Sequence, residues 1–125
     1  MSVLVDTSIW IDYFKTGDNS LSLDFLIDKG LVVINEIILA ELIPFLIVKK
    51  QNNIVSLLHT VKRIPMQIDW NEIIAFQVEC LKDGINGVGI PDLIIAQNAK
   101  MNDCMIFSLD KHFQLLNRIV NVDLY

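Results

Sequence analysis

Residues 3–10 read Val-Leu-Val-Asp-Thr-Ser-Ile-Trp, and this stretch decides the fold class. The run from Ser2 to Val5 is short and rich in valine, which favours a β-strand. From Thr7 to Lys15 the aromatic side chains fall on one side of a helix, which predicts an amphipathic first helix. Asp6 therefore lies at the carboxyl end of a strand, where open α/β sheets bind their ligands.

The same alternation of strand and helix patterns continues along the chain. Four further strands are predicted, at Leu31 to Ile34, Ile64 to Ile68, Cys104 to Ser108 and Ile119 to Leu124. Helices are predicted at Leu21 to Asp28, Glu36 to Lys50, Asn53 to Val61, Trp70 to Lys82 and Pro91 to Asn102, with a short turn at Lys111 to Leu116. This order predicts a three-layer α/β/α sandwich around a mostly parallel sheet of four or five strands.

Length and composition set the broad class of protein. The chain has 125 residues, of which 53% are hydrophobic and 20% are charged, enough for one domain over residues 1–125 without a disordered tail. Only residues 31–48 approach the length of a membrane span, and two acids inside them oppose insertion. The N-terminus has no basic lead of the kind that opens a secretory signal. We expect a soluble, cytoplasmic protein that does not bind membranes.

Cysteine usage and net charge exclude some kinds of site. Cys80 and Cys104 form no CxxC motif, so buried reduced thiols are expected rather than structural zinc. The net charge of -5 argues against binding nucleic acid through a broadly basic surface. A nucleic-acid substrate would need a local cluster of cations instead.

Three acids lie at positions where a ligand-binding site could form, although each could instead have a purely structural role. Asp6 and Asp110 follow predicted strands and would meet at one edge of a parallel sheet, although each could simply cap the next helix. Asp92 shares a helical stripe with the small residues Ala96 and Ala99, which turns it towards the sheet. An acid in a first helical turn also suits the helix dipole, so Asp92 has a structural explanation as well.

Glu41 is the acid for which a purely structural role is hardest to find. Its helical neighbours three, four and seven residues away are uncharged, which predicts an apolar face. A buried, unpaired carboxylate is costly and must find a cation, share a proton or reach solvent through a pocket. Oxygen ligands select Mg²⁺ or Mn²⁺, and such an ion can activate a bound water towards a phosphodiester. The four acids together predict a metal-dependent hydrolytic nuclease.

Val-Asp-Thr-Ser-Ile-Trp at residues 5–10 resembles the opening of PIN-domain nucleases, especially the VapC-type toxins of bacterial toxin-antitoxin pairs. Three later segments are similar to the family's other acidic motifs in the same order, namely Ala40-Glu41-Leu42, Ile90-Pro91-Asp92 and Ser108-Leu109-Asp110-Lys111-His112-Phe113. The resemblance implies a PIN-like fold and an endoribonuclease that cuts RNA. It also implies that Mg²⁺ or Mn²⁺ is bound by Asp6, Glu41, Asp92 and Asp110.

The resemblance assigns further roles and partners. Ser108 matches the family's hydroxyl residue, and Thr7 and Ser8 are expected to support the site through hydrogen bonds. Lys82, Lys111 and His112 are candidate substrate contacts, with a purely structural histidine as the alternative for His112. A toxin of this kind implies RNA as substrate, a cognate antitoxin protein and a homodimer. Pro44 departs from the family pattern because it stands inside the helix that carries Glu41, where it predicts a kink.

The sequence disfavours two other classes of enzyme or binding domain and leaves one alternative to the nuclease. A dinucleotide-binding domain is disfavoured because no GxGxxG follows the first strand, and a phosphoaspartyl hydrolase would need Asp-x-Asp where this chain has Asp6-Thr7-Ser8. The remaining alternative is a catalytically silent PIN-like scaffold that binds a partner protein through apolar surface. In that reading the aromatic residues of the first helix, Trp10, Tyr13 and Phe14, are candidates for either core or interface.

Overall fold

A computed structural model describes residues 1–15 and 17–125 of the chain. Its strands are β1 (Val3–Val5), β2 (Val32–Ile34), β3 (Lys62–Arg63) and β4 (Met105–Phe107). Its helices are α1 (Thr7–Phe14), α2 (Ser20–Asp28), α3 (Glu36–Val48), α4 (Asn52–Thr60), α5 (Trp70–Lys82), α6 (Ile90–Met101) and α7 (Lys111–Val120).

The four strands form one parallel sheet in the order β3-β2-β1-β4. All three residues of the central strand β1 are buried, as expected for a parallel sheet that is covered on both faces. The helices pack in two groups, with α1 against α2 and α3 on one side and α5, α6 and α7 against one another on the other. The predicted α/β class and parallel sheet are confirmed.

Two predicted strands are wrong. The segment from Ile119 to Leu124 is not a strand, because α7 extends to Val120 and Leu124 makes only a single bridge to Ile106. The predicted short turn at 111–116 is instead the start of this helix, whose buried residues Phe113, Leu116 and Val120 follow a helical spacing. At Ile64 to Ile68 the sheet pairing lies two residues earlier, in β3, since Pro65 has no N–H group to donate to a neighbouring strand.

A buried asparagine pair sets α3 relative to α6. Asn35 is fully buried and caps α3, because its Oδ1 accepts a hydrogen bond from the Ile38 N–H at 2.9 Å. Its Nδ2 donates to Asn98 Oδ1 on α6, also at 2.9 Å. Helix α3 then continues through Pro44 to Val48, so the proline does not end it. The pair links the helix that carries Glu41 to the helix that carries Asp92.

The core and the thiols follow the sequence expectations. Trp10 is fully buried beside the sheet, whereas Tyr13 and Phe14 are partly buried against the same core. Cys80 and Cys104 are both buried and unpaired. Within the described ranges, no helix is long and apolar enough to cross a membrane.

Candidate metal-binding active site

Asp6 lies directly after β1 and is buried. Although it occupies the N-cap position of α1, its side chain makes no capping hydrogen bond. Its Oδ2 instead accepts hydrogen bonds from the hydroxyls of Ser8, at 3.0 Å, and Ser108, at 2.8 Å. The capping alternative therefore fails for this carboxylate, which is held by two hydroxyls from opposite ends of the chain.

Each of these hydroxyls is used twice. Ser8 Oγ also accepts from the Leu109 N–H at 3.0 Å, and Ser108 Oγ accepts from the Asp110 N–H at 2.9 Å. A hydroxyl has one proton to donate, and both protons are committed to Asp6, so the 3.2 Å Ser8–Ser108 contact adds no further bond. The network ties the end of β1 to the loop after β4. Thr7 is not part of it, since its buried Oγ1 has no hydrogen-bond partner among the described residues.

Asp110 caps α7 and also faces the site. Its Oδ1 accepts a hydrogen bond from the His112 N–H at 2.9 Å, which fits the capping alternative. The same oxygen lies 3.3 Å from His112 Nδ1. Capping fixes the orientation of this carboxylate and so serves the site.

Asp92 lies in the first turn of α6. Its Oδ2 accepts a hydrogen bond from the Gly89 N–H at 3.1 Å and lies 3.3 Å from His112 Nδ1. Single ligand atoms of Asp92, Asp110 and His112 all lie within 4.8 Å of one another. This spacing suits a metal ion. The sequence predicted the two acids but placed His112 only as a substrate contact or a structural residue.

Glu41 is exposed on α3, which agrees with the alternative that this carboxylate reaches solvent. Its apolar neighbours are divided: Ile38 is fully buried in the core, whereas Pro44 is exposed and Val48 has 78% of its surface exposed. Partial desolvation nevertheless raises the pKa of Glu41, and the negative charges of Asp6 and Asp92 raise it further. Glu41 is thus close enough to Asp6 and Asp92 for their charges to act on it.

The carboxylates act on one another electrostatically. Burial raises the pKa of Asp92 and the Gly89 N–H partly offsets this; the charges of Asp110 and Asp6 raise the pKa further, whereas His112 lowers it. Carboxylates that repel one another in this way are stabilised by a divalent cation, and oxygen donors favour Mg²⁺ or Mn²⁺. The buried His112 Nδ1, which has no hydrogen-bond partner in the described part of the chain, adds an unused donor atom. The residues present therefore fit a divalent metal ion.

A family model for the PIN domain matches residues 3–119. The chain belongs to the PIN-domain family. Among solved structures it is similar to VapBC2 from Rickettsia felis bound to a promoter DNA fragment, with 21% identity, a TM-score of 0.78, and coverage of 100% of this chain and 98% of that one. No curated protein matches the chain.

Two further structures share the fold of this PIN domain. DNA-bound VapBC from Salmonella typhimurium has 16% identity and a TM-score of 0.76, covering 100% of this chain and 97% of that one. FitAcB from Neisseria gonorrhoeae has 19% identity and a TM-score of 0.70, covering 98% of this chain and 96% of that one. These likenesses extend over nearly the whole chain and establish the PIN-like fold predicted from the sequence.

The candidate lysines of this PIN domain differ in their surroundings. Lys82 ends α5 and contacts Glu79 on the same helix at 3.7 Å. Lys111 is exposed and begins α7 directly after Asp110. Of the two, Lys111 is the one that the chain places beside a candidate site residue.

The raised pKa of Glu41 predicts a pH-dependent cost to stability in the absence of metal. Below the ordinary carboxyl pKa, folded and unfolded states are both protonated and Glu41 has no effect. As pH rises from there through the raised pKa, the unfolded state loses its proton first, so stability falls. We expect Glu41→Gln to raise the Tm of metal-free protein at pH 7 by a few degrees and to leave it unchanged near pH 3.5.

The measurement is thermal unfolding in a chelator at both pH values. Glu79→Gln is the matched control, because Glu79 is an exposed acid on α5 that lies outside the acid cluster. An equal rise in Tm at both pH values for Glu41→Gln would contradict the electrostatic explanation.

Proposed function

We propose that this PIN-domain protein is a metal-dependent endoribonuclease and the toxin component of a toxin-antitoxin pair. The observation that carries the proposal is the cluster of Asp92, Asp110 and His112, whose single ligand atoms lie within 4.8 Å of one another, with Asp6 and Glu41 near enough for charge interactions with Asp92. An acid cluster of this kind is costly to maintain without a cation. Its position after β1 and β4, at the carboxyl edge of the sheet, is where α/β proteins bind ligands.

The chain's own residues prepare the site for hydrolysis. Asp6 is oriented by the hydroxyls of Ser8 and Ser108, and Asp110 by the His112 N–H, so both carboxylates are held in place before a ligand binds. Mg²⁺ or Mn²⁺, bound by Asp6, Glu41, Asp92 and Asp110, would supply an activated water and neutralise phosphate charge. Lys111 is placed to attract the RNA backbone next to the site.

We propose the toxin role because the chain is similar to proteins of toxin-antitoxin pairs. The sequence motifs resemble those of VapC-type toxins, and the structures that share the fold come from VapBC and FitAcB. By this likeness we propose a cognate antitoxin as partner, a homodimer, and action in the cytoplasm. The silent scaffold is the second candidate, and it is favoured by an apolar stripe on α5 with exposed Trp70, Ile74, Val78 and Leu81.

The nuclease proposal is tested by incubating purified protein with total bacterial RNA. We expect cleavage in Mg²⁺ or Mn²⁺, complete loss of cleavage on chelation, and recovery when the metal is restored, because the acids alone provide no nucleophile. Expression in bacteria should also arrest growth. Cleavage that survives chelation would refute the metal mechanism, and absence of cleavage with every divalent metal would favour the scaffold.

A further inference from the structure

We infer that His112 is a nitrogen ligand of the bound metal ion, which makes the site prefer Mn²⁺ over Mg²⁺. The inference rests on the proposed metal-dependent function and extends it to a residue outside the four acids. His112 Nδ1 lies 3.3 Å from Asp92 Oδ2 and 3.3 Å from Asp110 Oδ1. The nitrogen therefore stands between two candidate ligand oxygens.

These separations match ligands of one ion. With metal–ligand bonds of about 2.1 Å, adjacent ligands of an octahedral ion lie about 3.0 Å apart and opposite ones about 4.2 Å apart. The three ligand atoms of Asp92, Asp110 and His112 lie within 4.8 Å of one another, inside a range that small rotations can close onto a shared ion. A surface histidine that only contacts phosphate would not need this placement.

The imidazole is also oriented from both sides. The His112 backbone N–H is bound by Asp110 Oδ1, which fixes the residue in the first turn of α7. On the far side of the ring, a Cβ at Gly87 would lie 3.7 Å from Nε2, so the glycine loop approaches the ring closely. Nδ1 itself is buried and has no hydrogen-bond partner among the described residues. A metal ion binds imidazole through the lone pair of an unprotonated nitrogen, and such a nitrogen beside two carboxylate oxygens leaves three lone-pair atoms that a shared cation would satisfy.

A nitrogen ligand has a consequence for metal choice. Mg²⁺ is a hard cation that binds oxygen ligands, whereas divalent transition metals accept imidazole as well as carboxylate. The cluster of Asp92, Asp110 and His112 therefore gives Mn²⁺ a contact that Mg²⁺ uses poorly. The alternative is that His112 is only a counter-ion for the two acids and leaves them when a metal binds.

The experiment is pulsed electron paramagnetic resonance on Mn²⁺ bound to the protein of residues 1–125. The chain has only two histidines, His59 and His112, so labelling histidine with ¹⁵N makes any nitrogen coupling easy to assign. We expect a histidine nitrogen signal in wild type and in His59→Phe, and none in His112→Phe. His59 is the matched control because it is exposed at the end of α4. The labelled wild type alone keeps the test valid if His112→Phe does not fold.

Calorimetric titration of the same proteins with Mn²⁺ and Mg²⁺ gives the second readout. We expect His112→Phe to weaken Mn²⁺ binding at least about tenfold, the lower end of what outer-shell metal-site mutations cost, and to change Mg²⁺ binding much less. Mn²⁺ binding without a histidine nitrogen signal would overturn the role of His112 and leave the acid site intact. Failure of wild type to bind either metal would overturn the proposed function as well.

Discussion

Replacing Asp92 by Asn is expected to slow RNA cleavage at least about a hundredfold at neutral pH in Mn²⁺, a loss of about 2.7 kcal/mol of transition-state stabilisation. Metal-ion catalysis supplies several kcal/mol through charge neutralisation and water activation. Asp92 belongs to the tight cluster with Asp110 and His112, and only 22% of its side-chain surface is exposed. Loss of its charge should weaken metal binding and lower the rate together.

The substitution keeps the fold nearly unchanged. Asn has the same size, and its Oδ1 can still accept the Gly89 N–H, so the start of α6 is preserved. Cleavage is measured as initial rate over a range of Mn²⁺ concentrations, with folding checked by circular dichroism. Asp103→Asn is the matched control, since Asp103 is an exposed acid just beyond the other end of α6 at φ 52°, a conformation that Asn adopts readily. If both variants cleave alike, Asp92 is not part of the active site.

The convergence of Asp6 and Ser108 follows from the register of the sheet. Val5 pairs with Phe107 across β1 and β4, and the Asp6 N–H donates to the Phe107 carbonyl at 2.9 Å. The next residue after each strand is therefore brought to the same edge. Sequence patterns predicted that these residues follow strands, but they could not give the register that produces the 2.8 Å contact between them.

Glu41 shows where apolar patterning misleads. The residues around it are apolar, and Ile38 and Leu42 are indeed buried, yet Glu41 itself is exposed, so the apolar pattern did not show that this carboxylate reaches solvent. Glu41 is still close enough to Asp6 and Asp92 for their charges to act on it, for a reason that pattern alone could not supply: the Asn35–Asn98 pair sets the position of α3 against α6. A one-dimensional pattern predicts periodicity but not which side of a helix the tertiary structure covers.

The sequence alone could have predicted part of the surroundings of His112. It lies two residues after a candidate capping acid, so the first turn of a helix there would bring its backbone to Asp110. The helix itself was predicted only as a short turn, although Phe113, Leu116 and Val120 had the spacing to predict it. The approach of His112 to Asp92 depends on packing between α6 and α7, which no local signal specifies.

The second large effect is expected from Trp10→Ala, which should lower the free energy of unfolding by about 3–5 kcal/mol. Trp10 is fully buried and contacts Tyr13 edge-on, with ring centroids 6.1 Å apart. Removing it leaves a large cavity on the side of α1 that packs against the core. Typical domains have a stability of about 5–15 kcal/mol, so this change removes a large share of it.

Urea unfolding followed by circular dichroism measures the change in stability. Phe25→Ala is the control, because 53% of the Phe25 surface is exposed on α2, and we expect a loss within about 1 kcal/mol there. Similar losses in the two variants would show that Trp10 is not a core anchor. Because Asp6 is the N-cap residue of α1 and Ser8 lies in its first turn, loosening this helix should also weaken Mn²⁺ binding in Trp10→Ala, and Phe25→Ala should bind the metal like wild type. Trp10 would then stabilise the acid site through α1, the helix that also positions Asp6 and Ser8.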